Sequence, residues 1–176
     1  SPDMTITGGS FTEIIGGNHV AFPGGGTQGN PASITIGNTR TEIHETQGVQ
    51  YVIGGSKADN AHVTLQNGET SLIINGGSNI AQNGMVVGGN LLRATGNPGA
   101  GEPAVSTAQT LSTTLSINAG TFAGSVVGGS AAFDDTVYPG ASGTLAPQLS
   151  VTDGNTKTTI TGGSFAKSAG LNAAII

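Results

Sequence analysis

Apolar and small polar residues alternate over short stretches of this chain, and each stretch runs into a glycine or a glycine pair. In the first such element, Ile6 is followed by Thr7, the pair Gly8 and Gly9, and then Ser10 and Phe11. Alternation with a period of two predicts β-strands whose apolar side chains share one face. Copies of this element occupy residues 6–11, 74–79, 117–122 and 160–165.

A second element has two β-branched residues, a glycine pair and then Asn or Ser. It occupies residues 14–18, 52–56, 86–90 and 126–130, with a truncated echo at Ile175 and Ile176. Successive copies begin 38, 34 and 40 residues apart. A period of this size is typical of a solenoid, in which each repeat stacks on its neighbours. The sequence therefore predicts an all-β fold, a parallel β-solenoid of about four to five coils with variable loops.

The glycine pairs are predicted to form the corners of the coils, where the chain takes up positive φ or passes close to the next coil. The small polar residue after each second-element pair is expected at the same point of every coil. There it forms a side-chain ladder between coils about 4.8 Å apart, or serves only as a turn former. The predicted corner residues are Gly8, Gly9, Gly16, Gly17, Gly54, Gly55, Gly76, Gly77, Gly88, Gly89, Gly128, Gly129, Gly162 and Gly163, and the predicted ladder is Asn18, Ser56, Asn90 and Ser130.

Alternation assigns one face of the first element to the core. Residues Met4, Leu72 and Leu115 share that face with Ile6, Ile74 and Ile117, and Thr158 and Ile160 are equivalent in the last copy. A bulky side chain after the glycine pair is expected to return to the core, at Phe11, Ile80, Phe122 and Phe165.

Further strands are expected outside these elements. A third strand per coil is predicted at residues 62–65 and 149–152. The first element of coil two departs most from the pattern and is assigned to residues 34–38. Asp153–Asn155 is interpreted as a turn.

Composition narrows the function classes. The chain has 176 residues, 31 Gly, 9% charged residues and a formal net charge of −5 with only five Lys and Arg. A nucleic acid or an anionic membrane requires clustered basic residues, so neither is an expected partner. No apolar run is long enough to insert into a bilayer as a helix. Cysteine is absent, which excludes disulfides and thiolate metal sites.

The ends repeat one another. The chain opens with a first element and closes on Ile175 and Ile176. In the other copies of the second element, a glycine pair follows these two positions. Residues 1–176 are therefore interpreted as a single solenoid domain that is a segment of a longer repetitive array. Open ends of this kind favour head-to-tail stacking into filaments.

The stretches Thr5–Phe11, Ser116–Phe122 and Thr159–Phe165, together with the four glycine corners, resemble the Gly-rich repetitive passenger regions of bacterial autotransporter-like adhesins. The resemblance implies a right-handed parallel β-helix, an extracellular location at the bacterial cell surface, and a structural or adhesive role. It implies no catalytic, cofactor or metal residues.

Candidate chemistry is sparse. Asp134 and Asp135 form the densest acidic pair, but adjacent residues of a strand point to opposite faces, so a solvated loop is the favoured interpretation. Alternation places Glu42 beside His44 as a weak metal or pH-sensitive site. Threonine pairs at Thr5/Thr7 and Thr159/Thr161 suggest an ice-binding row, which the residues of the intervening coils interrupt.

The sequence thus predicts a non-enzymatic segment of an extracellular surface protein or fibre, with no cofactor. Its expected partners are further copies of itself and a host or matrix glycan or protein. The alternative is a carbohydrate-binding or polysaccharide-degrading β-helix, although Tyr51 and Tyr138 are the only Tyr residues and Trp is absent. A groove that gathers acidic and aromatic side chains would favour the alternative.

Overall fold

The fold is that of a parallel β-solenoid, seen in a computed structural model that describes residues 3–21, 25–94, 103–134 and 147–166. All regular structure within these ranges is β-strand. No helix in the described residues is long and apolar enough to cross a membrane. The strands, in chain order, are β1 (Asp3–Thr7), β2 (Glu13–Ile15), β3 (His19–Ala21), β4 (Ala32–Ile36), β5 (Thr39–His44), β6 (Thr46–Gln47), β7 (Tyr51–Ile53), β8 (Lys57–Asp59), β9 (His62–Ile74), β10 (Gly77–Ser78), β11 (Met85–Val87), β12 (Leu91–Ala94), β13 (Val105–Ile117), β14 (Thr121–Phe122), β15 (Ser125–Val127), β16 (Ala131–Asp134), β17 (Gln148–Ile160) and β18 (Ser164–Phe165).

Three parallel sheets run along the solenoid. The first, which we call the long sheet, has the order β1-β5-β9-β13-β17, with β4 also paired to β9. The second has the order β2-β7-β11-β15, and the third has the order β3-β8-β12-β16. Two further two-stranded sheets join β6 to β10 and β14 to β18. Each coil visits the long sheet, the second sheet and the third sheet in turn, and the stack makes about four turns.

The apolar faces of these strands meet inside the stack. The largest buried cluster joins the long sheet to the second sheet, and a smaller one joins the long sheet to the third sheet. Leu72, Ile74, Leu115 and Ile117 are fully buried, as the alternation predicts, whereas Ile160 in the last strand of the long sheet is 38% exposed. Stacking therefore excludes water in the middle coils and leaves the core columns partly open at the ends.

The bulky residue after the glycine pair also points inward in the middle coils. Ile80 and Phe122 are buried, and the rings of Phe122 and Phe165 stack with centroids 4.9 Å apart. Phe11 and Phe165, in the two end coils, are 39% and 38% exposed. The prediction that this side chain returns to the core is therefore confirmed for the middle coils. The end coils leave it partly exposed because they have a neighbouring coil on one side only.

One strand prediction is confirmed in part and another is wrong. Residues 62–65 and 149–152 do form β-strand, but not a separate third strand, because they are continuous with the first element in the 13-residue strands β9 and β17. Residues 34–38 are not the first element of coil two, because Ile34 pairs with Leu65. That place belongs to β5, in which Ile43 pairs with both Ile6 and Ile74.

A bend within each long strand explains both errors. In β9 the buried positions run through Val63 and Leu65 to Asn67 and then resume at Thr70, so the inward face shifts by one residue. The same shift in β13 leaves Leu111 unpaired in the register, between the pairs Thr110↔Asn67 and Ser112↔Glu69. Every strand has one residue at this point, since the register keeps the same offset on both sides of it, and the bend there resets the alternation of all the paired strands together. The sequence pattern therefore resembles two strands where the structure has one.

Candidate functional site

The predicted ladder residues line the corner between the second and third sheets. Ser56 and Asn90 are fully buried there, and Asn18 is exposed in the first coil. The two glycines of each corner have no side chains, so the residue that follows them supplies the polar side chain at the turn.

The rungs are made by backbone donors and side-chain acceptors. The N–H of Asn18 donates to Ser56 Oγ at 3.1 Å, that of Ser56 to Asn90 Oδ1 at 2.8 Å, and that of Asn90 to Ser130 Oγ at 2.9 Å. Each coil therefore satisfies the corner amide of the coil before it. The ladder was expected to join the side chain of one coil to the side chain of the next. The observed bonds instead run from a backbone N–H to a side-chain oxygen, because a buried corner N–H needs an acceptor.

Asp153 takes the place of the next rung at the last corner. Its Oδ2 accepts from the N–H of Ser130 and its Oδ1 from Ser130 Oγ, each at 2.6 Å. The interpretation of residues 153–155 as a turn is wrong, since they lie within β17 at its bend. In the preceding coils, Thr110 accepts from Asn90 Nδ2 at 2.7 Å and Asn67 Nδ2 lies 3.5 Å from Ser56 Oγ. Asn67, Thr110 and Asp153 thus form a second polar column, which the sequence analysis missed.

Close approach requires the glycines of the second element. A Cβ on Gly88 would lie 2.1 Å from the carbonyl oxygen of Gly128, and one on Gly54 would lie 2.3 Å from that of Gly88. None of the eight second-element corner glycines in the described chain has positive φ. The next coil therefore excludes a side chain at the first glycine of three corners, Gly16, Gly54 and Gly88.

The first element uses its glycines differently. Gly77 has φ of +137°, and the glycines at the same position of the other copies, Gly9, Gly120 and Gly163, also have positive φ. L-residues rarely adopt this conformation, whatever space surrounds them. Of the two reasons given for the corner glycines, positive φ is confined to the first element. Close approach applies to the second element and also to Gly162 of the first, whose Cβ would lie 2.3 Å from the carbonyl oxygen of Asn118.

Glu42 and His44 do lie side by side on the outer face of the long sheet. His44 Nε2 is 3.0 Å from Glu42 Oε1, and the guanidinium of Arg40 donates to Glu42 Oε2 at 2.5 Å and to Asp3 Oδ1 at 3.2 Å. The hydrogen bonds from Arg40 and then from His44 hold the pKa of Glu42 below its ordinary value. The described residues contain no group of three or more His, Asp or Glu that could hold a metal ion.

Amide and hydroxyl side chains extend from Glu42 toward the last coil, as a row of hydrogen bonds on the outer face of the long sheet. Asn75 Nδ2 donates to Glu42 Oε1 at 2.8 Å, Asn118 Nδ2 to Asn75 Oδ1 at 2.7 Å, and Thr161 Oγ1 to Asn118 Oδ1 at 2.9 Å. The row of the predicted threonine pairs is therefore mixed in composition: Thr5, Glu42, Ile73, Ser116 and Thr159 are neighbours in register.

A second charged cluster lies on the outer side of the second and third sheets, and the sequence did not indicate it. Lys57, whose side chain is 4% exposed, contacts Glu13 Oε1 at 2.5 Å and Asp59 Oδ2 at 2.7 Å. His19 Nε2 contacts the same oxygen of Asp59 at 3.0 Å. The Lys57 ammonium and the Arg93 guanidinium lie 5.2 and 5.1 Å from the centroid of the Tyr51 ring.

This cluster gathers acidic and aromatic side chains, so it bears on the glycosidase alternative. Hydrolysis of a glycosidic bond requires one carboxyl group to act as an acid and the other as a nucleophile or base. Glu13 and Asp59 instead both contact the buried ammonium group of Lys57. The cations beside Tyr51 also occupy ring surface on which a sugar would stack. In the other proposed pair, Asp134 ends β16 and Asp135 lies outside the described residues.

These arrangements define a repeat protein of the parallel β-solenoid class, with one polar ladder inside its corner and another on its outer face. Comparison of the chain with protein-family models, with curated proteins and with solved structures gave no significant match.

Proposed function

We propose that the chain is a structural and adhesive segment of an extracellular bacterial surface protein or fibre, and that it stacks head to tail through the ends of the solenoid. The pairing of the end strands carries the proposal. In the described part of the chain, β17 pairs only with β13 and β1 pairs only with β5. Each of these strands therefore presents one edge of N–H and C=O groups that a further strand can pair.

The apolar surface at the ends supports the same contact. Ile160 and Phe165 are each 38% exposed, whereas Ile117 and Phe122, one coil earlier in the same columns, are 0% and 1% exposed. Covering apolar surface of this kind stabilises an association by roughly 25 cal/mol per Å². Phe11, at the opposite end, is the matching residue of the first copy and offers a similar apolar surface.

An inert surface role also fits the chemistry of the side chains. The acidic residues that come together, Glu13 and Asp59, are both engaged by Lys57, and Glu42 is engaged by Arg40 and His44. We therefore propose that the segment has no enzymatic activity. The extracellular location rests on the resemblance of the repeats to adhesin passenger regions.

Sedimentation velocity and electron microscopy of the purified chain at rising concentration test the stacking. We expect linear particles whose length grows with concentration, because head-to-tail contacts do not close. The double variant Ile160→Lys with Phe165→Lys places charges on the exposed end and should shorten the particles. Thr159→Lys, on the same strand but facing outward, is the matched control and should stack like the wild type. A wild-type chain that stays monomeric at every concentration would contradict the proposal.

A further inference from the structure

A groove follows the bend of the long sheet on its outer surface and crosses three coils. Its polar wall is a row of side chains from successive strands, because Gln66 pairs with Gln109 and Gln109 pairs with Thr152. Neighbouring strands of a sheet are about 4.8 Å apart, so this row offers an amide or hydroxyl group at that interval along the solenoid axis. All three residues are exposed.

An exposed leucine forms the apolar part of the same groove. Leu111 is 72% exposed, the largest exposed fraction among the exposed large hydrophobic residues of the described chain. It lies at the bend, where the other two coils have Gly68 and Gly154, so no neighbouring side chain in its own column covers it. An apolar surface beside a few convergent polar groups is the usual composition of a site for a small organic ligand.

The charges at the groove select against an anion. The row of Gln and Thr is neutral, and Asp153, the one ionisable residue among those that line the groove, directs its carboxylate to Ser130 at the corner. The chain as a whole carries a net charge of −5. A polyanion would be repelled, whereas a neutral ligand rich in hydroxyl groups would meet acceptors and donors at a regular spacing.

We propose that this groove binds a neutral, extended, β-linked hexose polymer that lies along the solenoid axis. Gln66, Gln109 and Thr152 hydrogen-bond the hydroxyl groups of successive sugars, and the side chain of Leu111 contacts the C–H face of one ring. The hexose units of such a polymer repeat at nearly the interval of the coils, which lets one row serve several sugars. This inference rests on the adhesive part of the proposed function and is independent of head-to-tail stacking.

Titration of the full chain with cellohexaose, a neutral β-1,4-linked oligomer, tests the proposal by calorimetry and by NMR shifts. We expect saturable binding that Gln109→Ala and Leu111→Gly each weaken by about tenfold, the effect of losing one good contact. Leu111→Gly creates the residue found in the adjacent coils, and its far-UV spectrum and melting temperature report whether the fold is kept. Thr114→Ala, on the outer face of the same strand but away from the groove, should bind like the wild type.

Two further ligands and one further measurement separate the alternatives. Maltohexaose, with α-linkages, and an oligogalacturonate, with a carboxylate on each ring, should bind at least about tenfold more weakly than cellohexaose. Equal binding of all three, no binding of cellohexaose, or unchanged binding in both groove variants would overturn the proposal. Sedimentation without glycan identifies a different occupant: if Leu111→Gly abolishes self-association, the groove is a contact between copies of the chain. A wild-type chain that stays monomeric and binds cellohexaose would refute head-to-tail stacking and support this binding site.

Discussion

Thr39 and Thr41 lie two residues apart on β5, both buried, and only one of them has a hydrogen-bond partner in the described part of the chain. Thr39 Oγ1 donates to the carbonyl oxygen of Gly54 at 2.8 Å, in the corner of its own coil. Thr41 Oγ1 has no partner among the described residues and lies in the apolar column between Met4 and Leu72. One hydroxyl therefore holds a corner, and the other is a polar atom in the core.

Substitution of each threonine by valine is expected to change stability in opposite directions. Thr41→Val replaces an unpaired hydroxyl by a methyl group of similar size and should raise the free energy of unfolding by about 1 kcal/mol. Thr39→Val leaves the Gly54 carbonyl without its side-chain donor and should lower it by about 1–2 kcal/mol. Urea denaturation of both variants measures the two changes, and shifts of the same sign would contradict the assignment.

Gly88→Val is expected to destabilise the fold strongly. Its Cβ would lie 2.1 Å from the carbonyl oxygen of Gly128, so the two coils must separate at the corner. Overpacking of this kind costs about 1–3 kcal/mol or more. The control is Gly37→Ala, where the added Cβ meets no atom within 4 Å and φ is not positive. Thermal unfolding followed by circular dichroism compares the two, and a wild-type melting temperature for Gly88→Val would refute the close approach.

The inner and outer asparagine ladders make similar bonds at different burial. Asn90→Ala removes the acceptor of the Ser56 amide and the donor to Thr110 in a fully buried corner. We expect a loss of about 2–4 kcal/mol, since two buried groups lose their partners. Asn118→Ala breaks its bonds with Asn75 and Thr161 on an exposed face, where water replaces them, and should cost less than about 1 kcal/mol. Equal losses in urea denaturation would show that burial does not determine the strength of the ladder.

Acid is expected to remove the stabilising effect of Glu42. Because Arg40 and His44 lower the pKa of the folded-state carboxyl, the folded protein binds this proton less readily than the unfolded chain does. The stabilisation is therefore complete above the ordinary pKa of Glu and is lost as the pH falls through the lower, folded-state value. Melting temperatures of the wild type and Glu42→Gln should differ near neutral pH and converge in strong acid. A difference in melting temperature that grows on acidification would contradict the lowered pKa of Glu42.

The strands and corners could be predicted from the sequence because their causes are local. Alternation around Ile74 and Ile117 reflects which side of a strand faces the core, and the glycine pairs mark turns that tolerate no side chain. The missed features depend on the bend at Gly68, Leu111 and Gly154. A phase shift inside a strand is indistinguishable in the sequence from a break between two strands, so β9 and β17 were each divided.

A period of two and a repeat of 34–40 residues are enough to predict a repeating all-β stack, the places of its corners and the inward column of Leu and Ile, since they leave few other ways to bury these side chains. Which polar residues meet depends instead on the arrangement of the coils in three dimensions. Glu13 and Lys57 are 44 residues apart, and Ser130 and Asp153 are 23 apart. Those contacts follow from the register between coils, which is set by parallel pairing after loops of unequal length have closed. The register therefore placed one ladder inside the corner, one along the outer face, and the row of Gln66, Gln109 and Thr152 beside Leu111.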